Sequence, residues 1–136
     1  MGNPPEAVAM LADHQRLVEV GVGRRPDMAA ELAARGRDVT ATDVHEREVP
    51  EGVTFVRDDV TDPDASVYAD ADAVYALNCP PELHRPLVAV AEAADAACLF
   101  TTLGGDQPAV PVERRPVASG TLYVARERGE SGRPGT

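Results

Sequence analysis

Residues 16–36 have the sequence RLVEVGVGRRPDMAAELAARG, and this stretch decides the fold. Its first half is a run of branched apolar residues that is interrupted by Glu19 and closed by Gly21 and Gly23, which predicts a buried strand ending in a tight turn. Pro26 and the acidic residue after it suit the first turn of a helix, and the glycine that closes the stretch suits the helix end. The stretch therefore predicts a strand, a glycine turn, a helix and a glycine cap in succession.

The same alternation of apolar runs and helical stretches continues along the chain. Short runs of branched apolar residues predict strands, and alanine-rich segments with apolar residues at helical spacing predict helices. Further strands are predicted at 39–44, 53–56, 73–77, 97–102 and 121–126, the last at a sheet edge, and further helices at 6–14 and 82–94. Three prolines in segment 107–119 predict a loop there that cannot join a central ladder.

Strands that alternate with helices of about ten residues imply right-handed crossovers and a mostly parallel sheet. The expected fold class is α/β, a Rossmann-like doubly wound sheet of five or six strands in a three-layer α/β/α arrangement. Residues 1–128 are expected to form one domain, and the polar, glycine-rich residues 129–136 a disordered tail. In such sheets ligands bind beyond the carboxyl ends of the strands, so the site residues are sought there.

The composition bears on the function classes that the chain can serve. The 136 residues include 13 basic and 23 acidic side chains, for a net charge of -10, and every basic residue is arginine. The acidic residues are dispersed along the chain, which is typical of the carboxylate-rich surface of proteins from salt-loving organisms. Nucleic-acid binding is not expected, because it needs a basic surface. There is no run of about 18 apolar residues and no signal-peptide pattern, so we expect no membrane segment and a cytoplasmic location.

The strongest chemical signal is the sequence EVGVG from Glu19 to Gly23. A glycine pair after a buried strand lets the backbone turn tightly and approach a ligand, and the helix that follows presents free N–H groups. Asp43 lies at the end of the second predicted strand, 43 − 23 = 20 residues after Gly23, where a carboxylate can accept both hydroxyls of an adenosine ribose. Together these features predict a site for a small nucleotide-type cofactor. If Asp43 serves only as a ribose ligand, Asp43→Ala would abolish cofactor binding and leave the stability of the free protein almost unchanged.

With these residues, segment 16–103 resembles a minimal class I S-adenosylmethionine-dependent methyltransferase core, and the whole chain resembles a small uncharacterised archaeal protein family of that superfamily. The resemblance implies that the cofactor is S-adenosylmethionine and that Glu19 faces its methionine amino group. It also implies that Gly21 and Gly23 form the floor of the cofactor site and that Asp43 binds the ribose.

The resemblance extends to the ends of the third and fourth predicted strands. Asp59, or its neighbour Asp58, takes the position that in such enzymes contacts the adenine amino group. Asn78 precedes Cys79 and two prolines, at the place where amino-methyltransferases carry an acidic or amide residue followed by two prolines. Glu82 stands where those enzymes have an aromatic residue. No general base is identified, and the acceptor is left open.

A second resemblance leads to an alternative. Gly21 to Gly23, Asp43 and segments 59–63 and 71–74 also look like a nicotinamide-nucleotide-sensing domain of ion-transport regulators. That resemblance implies a non-catalytic regulatory module that binds NAD(P) or another adenine nucleotide, with Arg24 and its neighbour beside the pyrophosphate. Against it, Pro26 replaces the usual third glycine, and Glu19 favours a cationic amine over a phosphate.

The remaining candidates are weaker. Cys79 and Cys98 form no CxxC pair, so neither a zinc site nor a redox dithiol is expected. Cys98 is expected to be a small buried apolar residue, whereas Cys79 borders the expected site. No serine lies in a G-x-S-x-G sequence, which leaves a hydrolase triad without support.

Overall fold

The structure is a computed structural model that describes residues 3–118 and 120–126. Its strands form one sheet in the order β3-β2-β1-β4-β5-β7-β6. The strands are β1 Arg16–Val20, β2 Asp38–Asp43, β3 Val53–Arg57, β4 Ala73–Ala76, β5 Ala97–Phe100, β6 Val112–Val117 and β7 Gly120–Ala125. Strands β1 to β5 pair in parallel with their neighbours among these five, and β7 runs antiparallel to both of its neighbours, β5 and β6. The expected α/β fold with a mostly parallel, doubly wound sheet is confirmed.

The helices cover both faces of this sheet. They are α1 Pro5–Ala12, α2 Asp27–Ala34, α3 Ala65–Tyr68 and α4 His84–Ala93, the last preceded by the 3₁₀ turn Pro81–Leu83. Helix α2 ends as the sequence predicts, because Gly36 has a φ of 82° and the N–H of Arg37 returns to the carbonyl of Leu32 at 3.1 Å. None of the helices within the described ranges has the length and apolar character that a membrane span requires.

Alternate residues of each buried strand pack on opposite sides of the sheet, which gives two cores. On one side Leu17 and Tyr75 pack with Leu11 of α1 and Leu32 of α2. On the other side the core is formed by α3 and α4 against the sheet, with the buried residues Val18, Val74, Phe100, Tyr68, Leu87 and Val90. Strands buried on both faces explain the nearly continuous apolar runs in the sequence.

The structure corrects the sequence-based prediction at the carboxyl-terminal end of the sheet. Within the residues that the structure describes, the sheet has seven strands, not five or six, because part of the predicted loop 107–119 forms β6. Pro116 is tolerated there because β6 is an outermost strand with a single partner. The last strand, predicted at an edge, instead lies between β5 and β6. The predicted disordered tail 129–136 lies outside the described residues.

Candidate functional site

A cleft of about 630 Å³ opens at the carboxyl ends of β1, β4 and β5. Its wall combines the β1–α2 turn, the amino-terminal end of α1 and the β6–β7 hairpin. The residues that line it are Asn3, Pro4, Ala7, Glu19, Gly21, Val22, Gly23, Arg24, Arg25, Asp27, Met28, Leu77, Asn78, Thr101, Thr102, Val117, Gly120 and Thr121. Five of the seven residues proposed from the sequence as cofactor ligands therefore share one cavity, at the edge of the sheet where ligands of such folds bind.

The glycine turn forms one wall of the cleft. Gly21 and Gly23 have φ angles of 73° and 60°, which residues with a Cβ rarely adopt. A Cβ built on either glycine would meet nothing within 4 Å, so the space in front of the turn is open. The N–H groups of Gly21 and Val22 both donate to the carbonyl of Thr42 at 2.9 Å, which fastens the turn to the end of β2.

Glu19 places a carboxylate in this wall although its side chain is almost completely buried. The residue is 1% exposed, and its Oε1 accepts a 2.8 Å hydrogen bond from the hydroxyl of Tyr75. Burial raises the pKa of Glu19 from its ordinary value of 4.5 to about 7. The hydrogen bond from Tyr75 opposes that rise, and the nearby charge of Asp27 adds to it. Within the described residues no cation lies at ion-pair distance from Glu19.

Two arginines line the exposed part of the cleft. Arg24 and Arg25 are exposed, and neither makes an ion pair with any residue that the structure describes. Asn3 donates to the carbonyl of Asp27 at 3.2 Å and to Oε1 of Glu31 at 3.0 Å, which holds the start of α1 against α2. The charged residues that line the cleft are thus the buried Glu19 and the exposed Asp27, Arg24 and Arg25.

Asn78 lies on the opposite side of the cleft, after β4. Its φ of 52° is left-handed, a conformation that asparagine tolerates better than most residues with a side chain. The backbone N–H of Asn78 donates to Oγ1 of Thr101 at 2.8 Å, and the N–H of Cys79 donates to the Thr101 carbonyl at 2.7 Å. These bonds fix the segment before the two prolines against the end of β5.

Asp43 contacts the glycine turn and is not among the described residues that line the cleft. Its Oδ2 accepts from the N–H of Gly23 at 2.8 Å, and its Oδ1 accepts from the N–H of His45 at 3.0 Å and lies 3.5 Å from Nε of Arg47. Burial acts to raise the pKa of Asp43, but these hydrogen bonds and the arginine charge outweigh it, so the pKa is lowered. The ribose role of Asp43 stays a prediction, beside a structural role that the structure shows.

Asp59 and Asp58 also lie outside the described lining of the cleft. Asp59 is exposed and accepts from the hydroxyl and the N–H of Thr61 at 2.6 and 2.9 Å, which lowers the pKa of its carboxyl. Asp58 accepts from the N–H of Asp64 at 2.9 Å and from the hydroxyl of Tyr68 at 2.7 Å. Both carboxylates shape the loop after β3, and their adenine contact stays a prediction.

Several site residues escaped the sequence analysis. Tyr75 has the pattern of a buried strand residue, and only its register opposite Glu19 on neighbouring parallel strands links the two. His84 is fully buried, with Nδ1 accepting from the N–H of Ala109 at 3.0 Å and Nε2 2.9 Å from the carbonyl of Cys79. It therefore joins the segment after β4 to the segment that leads into β6.

Comparison with known proteins shows the family. The sequence matches the family described as "Uncharacterised protein family (UPF0146)" over residues 1–128, and the chain belongs to that family. A UPF0146 protein of Halobacterium salinarum is 63% identical over 128 residues, which cover 93% of this chain and 99% of the relative. The predicted resemblance to a small archaeal family is confirmed. The acidic, lysine-free composition, which is typical of proteins from salt-loving organisms, is consistent with a relative from Halobacterium.

Solved structures share the fold. A TehB-like SAM-dependent methyltransferase from Corynebacterium glutamicum superposes with a TM-score of 0.57 at 17% identity, over 91% of this chain and 88% of that one. A putative Zn-dependent alcohol dehydrogenase from Rhodobacter sphaeroides gives a TM-score of 0.60 at 15% identity, over 79% of this chain and 50% of that one. This chain therefore spans about half the length of the dehydrogenase. At these identities the likeness is one of fold, and it is the Rossmann-like fold of S-adenosylmethionine-dependent methyltransferases among others.

Proposed function

We propose that this member of the UPF0146 family binds S-adenosylmethionine in the cleft at the carboxyl ends of β1 and β4, as a minimal methyltransferase-like protein whose acceptor is not assigned. The observation that carries the proposal is the buried carboxylate of Glu19 in the cleft wall beside the glycine turn. A volume of about 630 Å³ is in the range of small-molecule and cofactor sites.

The charges of the cleft suit the amino-acid end of this cofactor. The ammonium group of its methionine would pair with Glu19, and its carboxylate would face the guanidinium groups of Arg24 and Arg25. A buried carboxylate without a cationic partner is costly, so a ligand that brings a positive charge to it gains binding free energy. Gly21 and Gly23 leave the space in front of the turn open, which allows the ligand to approach the backbone there.

A dinucleotide fits the same groups less well. Its pyrophosphate would approach the turn where Glu19 and Asp27 already place two carboxylates, and like charges at short range repel. Arg24 and Arg25 could offset that repulsion only from the exposed mouth of the cleft. The alternative of a regulatory module that binds NAD(P) or another adenine nucleotide therefore remains a second candidate, favoured by the arginine pair alone.

Cofactor binding is the part of the function that the cleft supports. When bound, S-adenosylmethionine supplies an electrophilic methyl group for transfer to a nucleophile. The residues of this chain would hold the cofactor and exclude water around Glu19, and Asn78, Thr101 and Thr102 line the side from which an acceptor would approach.

Thermal unfolding in molar salt with S-adenosylmethionine, S-adenosylhomocysteine, NAD⁺, NADH and ATP tests the proposal. At about one hundred times the dissociation constant, a bound ligand adds roughly 2.7 kcal/mol to the free energy of unfolding. We expect stabilisation by the first two compounds alone, weakened by Glu19→Gln and unchanged by Glu51→Gln, whose side chain is exposed between β2 and β3. Stabilisation by NAD⁺ or NADH without an effect of S-adenosylmethionine would overturn the proposal in favour of the alternative.

A further inference from the structure

Tyr75 is a fully buried tyrosine whose hydroxyl serves Glu19. Its residue is 0% exposed, and its hydroxyl donates the 2.8 Å hydrogen bond to Oε1 of Glu19. The two residues face each other in register on β1 and β4, so the contact is built into the sheet. Burial and the charge of Glu19 hold the pKa of Tyr75 well above its ordinary value of 10.0, so its hydroxyl stays a donor.

We propose that Tyr75 is a positioning residue that holds Oε1 of Glu19 and leaves Oε2 for the primary ammonium group of the ligand, and that ligand binding below neutral pH releases up to one proton from Glu19. This inference rests on the proposed function, to which it adds a positioning role for Tyr75 and the release of a proton on binding.

The proton balance follows from the surroundings of Glu19. The acid form of Glu19 carries no charge with which to hold an ammonium group, so the bound state needs the carboxylate. In the free protein, burial raises the pKa of Glu19 to about 7, so the acid form predominates below that pH. Of the charged and titratable groups around the cleft, Asp27 on α2 adds to that effect, Arg24 and Arg25 lie exposed at the mouth, and Tyr75 on β4 favours the carboxylate. Binding below neutral pH must therefore expel the Glu19 proton, and the apparent affinity should fall by up to about tenfold for each pH unit.

Titration calorimetry with S-adenosylhomocysteine measures this proton directly. Measurements in two buffers of different ionisation enthalpy, from about pH 5.5 to about pH 8.5, give the number of protons released. We expect close to one proton at the acidic end, falling toward zero at the alkaline end. Methylthioadenosine, which has no ammonium group, serves as the control ligand and should release none through Glu19.

Three variants separate positioning from a merely structural role. Tyr75→Phe removes only the hydroxyl that favours the carboxylate, so the pH midpoint of binding should move upward by about one unit. Tyr123→Phe, in the opposite core, is the matched control and should leave the midpoint in place. Glu19→Gln should abolish the proton release.

The possible failures are distinct. If S-adenosylhomocysteine binds but releases no proton in the unaltered protein, the inference is overturned and the proposed function stands. The same holds if Tyr75→Phe lowers the affinity equally at every pH without moving the midpoint, since that outcome shows a structural role only. If the ligand does not bind at any pH, the proposed function is overturned and the inference with it.

Discussion

The carboxylate of Asp43 accepts a 2.8 Å hydrogen bond from the backbone N–H of Gly23, which lies 20 residues earlier in the chain. The bond joins the end of β2 to the glycine turn that follows β1. Because the N–H groups of Gly21 and Val22 also bond to the end of β2, the turn is fixed before any ligand arrives. A fixed turn avoids the entropy cost of ordering this wall when the ligand binds.

Asp43→Ala should therefore destabilise the free protein. The change leaves two backbone donors, on Gly23 and His45, without their acceptor and removes the partner of Arg47. We expect the free energy of unfolding in urea to fall by about 2 to 3 kcal/mol. Asp38→Ala, which removes only an exposed ion pair to Arg16, is the control and should cost less than about 1 kcal/mol.

This expectation departs from the one drawn from sequence, in which Asp43 was only a ribose ligand. If Asp43→Ala leaves the free energy of unfolding unchanged and abolishes cofactor binding, Asp43 is a ribose ligand only, as the sequence predicts. Loss of stability with intact binding would leave it a purely structural residue.

The sequence predicts well what local chemistry decides. Gly21, Gly23 and Gly36 mark positions of positive φ, and the β1–α2 unit follows from them. The sequence also predicts that Asp43 lies near the glycine turn, because the ends of neighbouring parallel strands meet at one edge of the sheet, but it does not predict the hydrogen bond from Gly23. The five cleft residues proposed from sequence lie at the carboxyl end of β1 or directly after β1 and β4, where the fold class alone places a site.

What the sequence misses depends on partners that lie far apart in the chain. Tyr75 meets Glu19 across 56 positions, and nothing in the apolar run around Tyr75 distinguishes it from a core residue. Strand β6 contains Pro116, and the prolines of this segment favour a loop. The segment forms a strand because β7 pairs with one edge of it, while its other edge, at the outside of the sheet, needs no partner. Tertiary pairing of this kind outweighs local propensity in strands.

The buried carboxylate of Glu19 should make the stability of the free protein depend on pH. Glu19 has an ordinary pKa of 4.5, which rises to about 7 on folding, so between these values the folded state binds more protons than the unfolded state. Stability from this group is complete below the lower value and is lost as pH rises through the upper one. We expect a loss of about 2 to 3 kcal/mol between about pH 5 and pH 8.

Urea unfolding at both pH values, for the unaltered protein and Glu19→Gln, measures this loss. All other groups are the same in both proteins, so the difference between the two proteins isolates Glu19. A pH dependence that is the same in Glu19→Gln would contradict the assignment of the raised pKa to this residue.

The two cysteines should be unreactive in the folded protein. Burial first, and then the nearby charge of Glu82, raises the pKa of Cys79 to about 11. Burial first, followed by the charges of Cys79 and Glu92, raises the pKa of Cys98 to about 12. Because the thiolate is the reacting form, alkylation at neutral pH should be at least about 100-fold slower than for a free cysteine. Mass spectrometry after iodoacetamide treatment, with and without denaturant, measures the rate of alkylation at each cysteine. Rapid labelling of Cys79 in the folded protein would contradict this prediction and show that the segment after β4 opens.

The glycine turn allows a test that separates binding from stability. Replacing any of these three glycines, Gly21, Gly23 or Gly36, with alanine forces a residue with a Cβ to adopt a positive φ. At all three positions the added Cβ itself meets nothing within 4 Å. Gly21→Ala, Gly23→Ala and Gly36→Ala should therefore each cost a similar amount of unfolding free energy, about 1 kcal/mol. Only the first two place a methyl group in the cleft, so only they should weaken S-adenosylhomocysteine binding in calorimetry, by at least about tenfold, whereas Gly36→Ala at the end of α2 should bind normally. Equal weakening by all three variants would mean that binding follows overall stability, and normal binding by Gly21→Ala and Gly23→Ala would mean that no ligand approaches this turn.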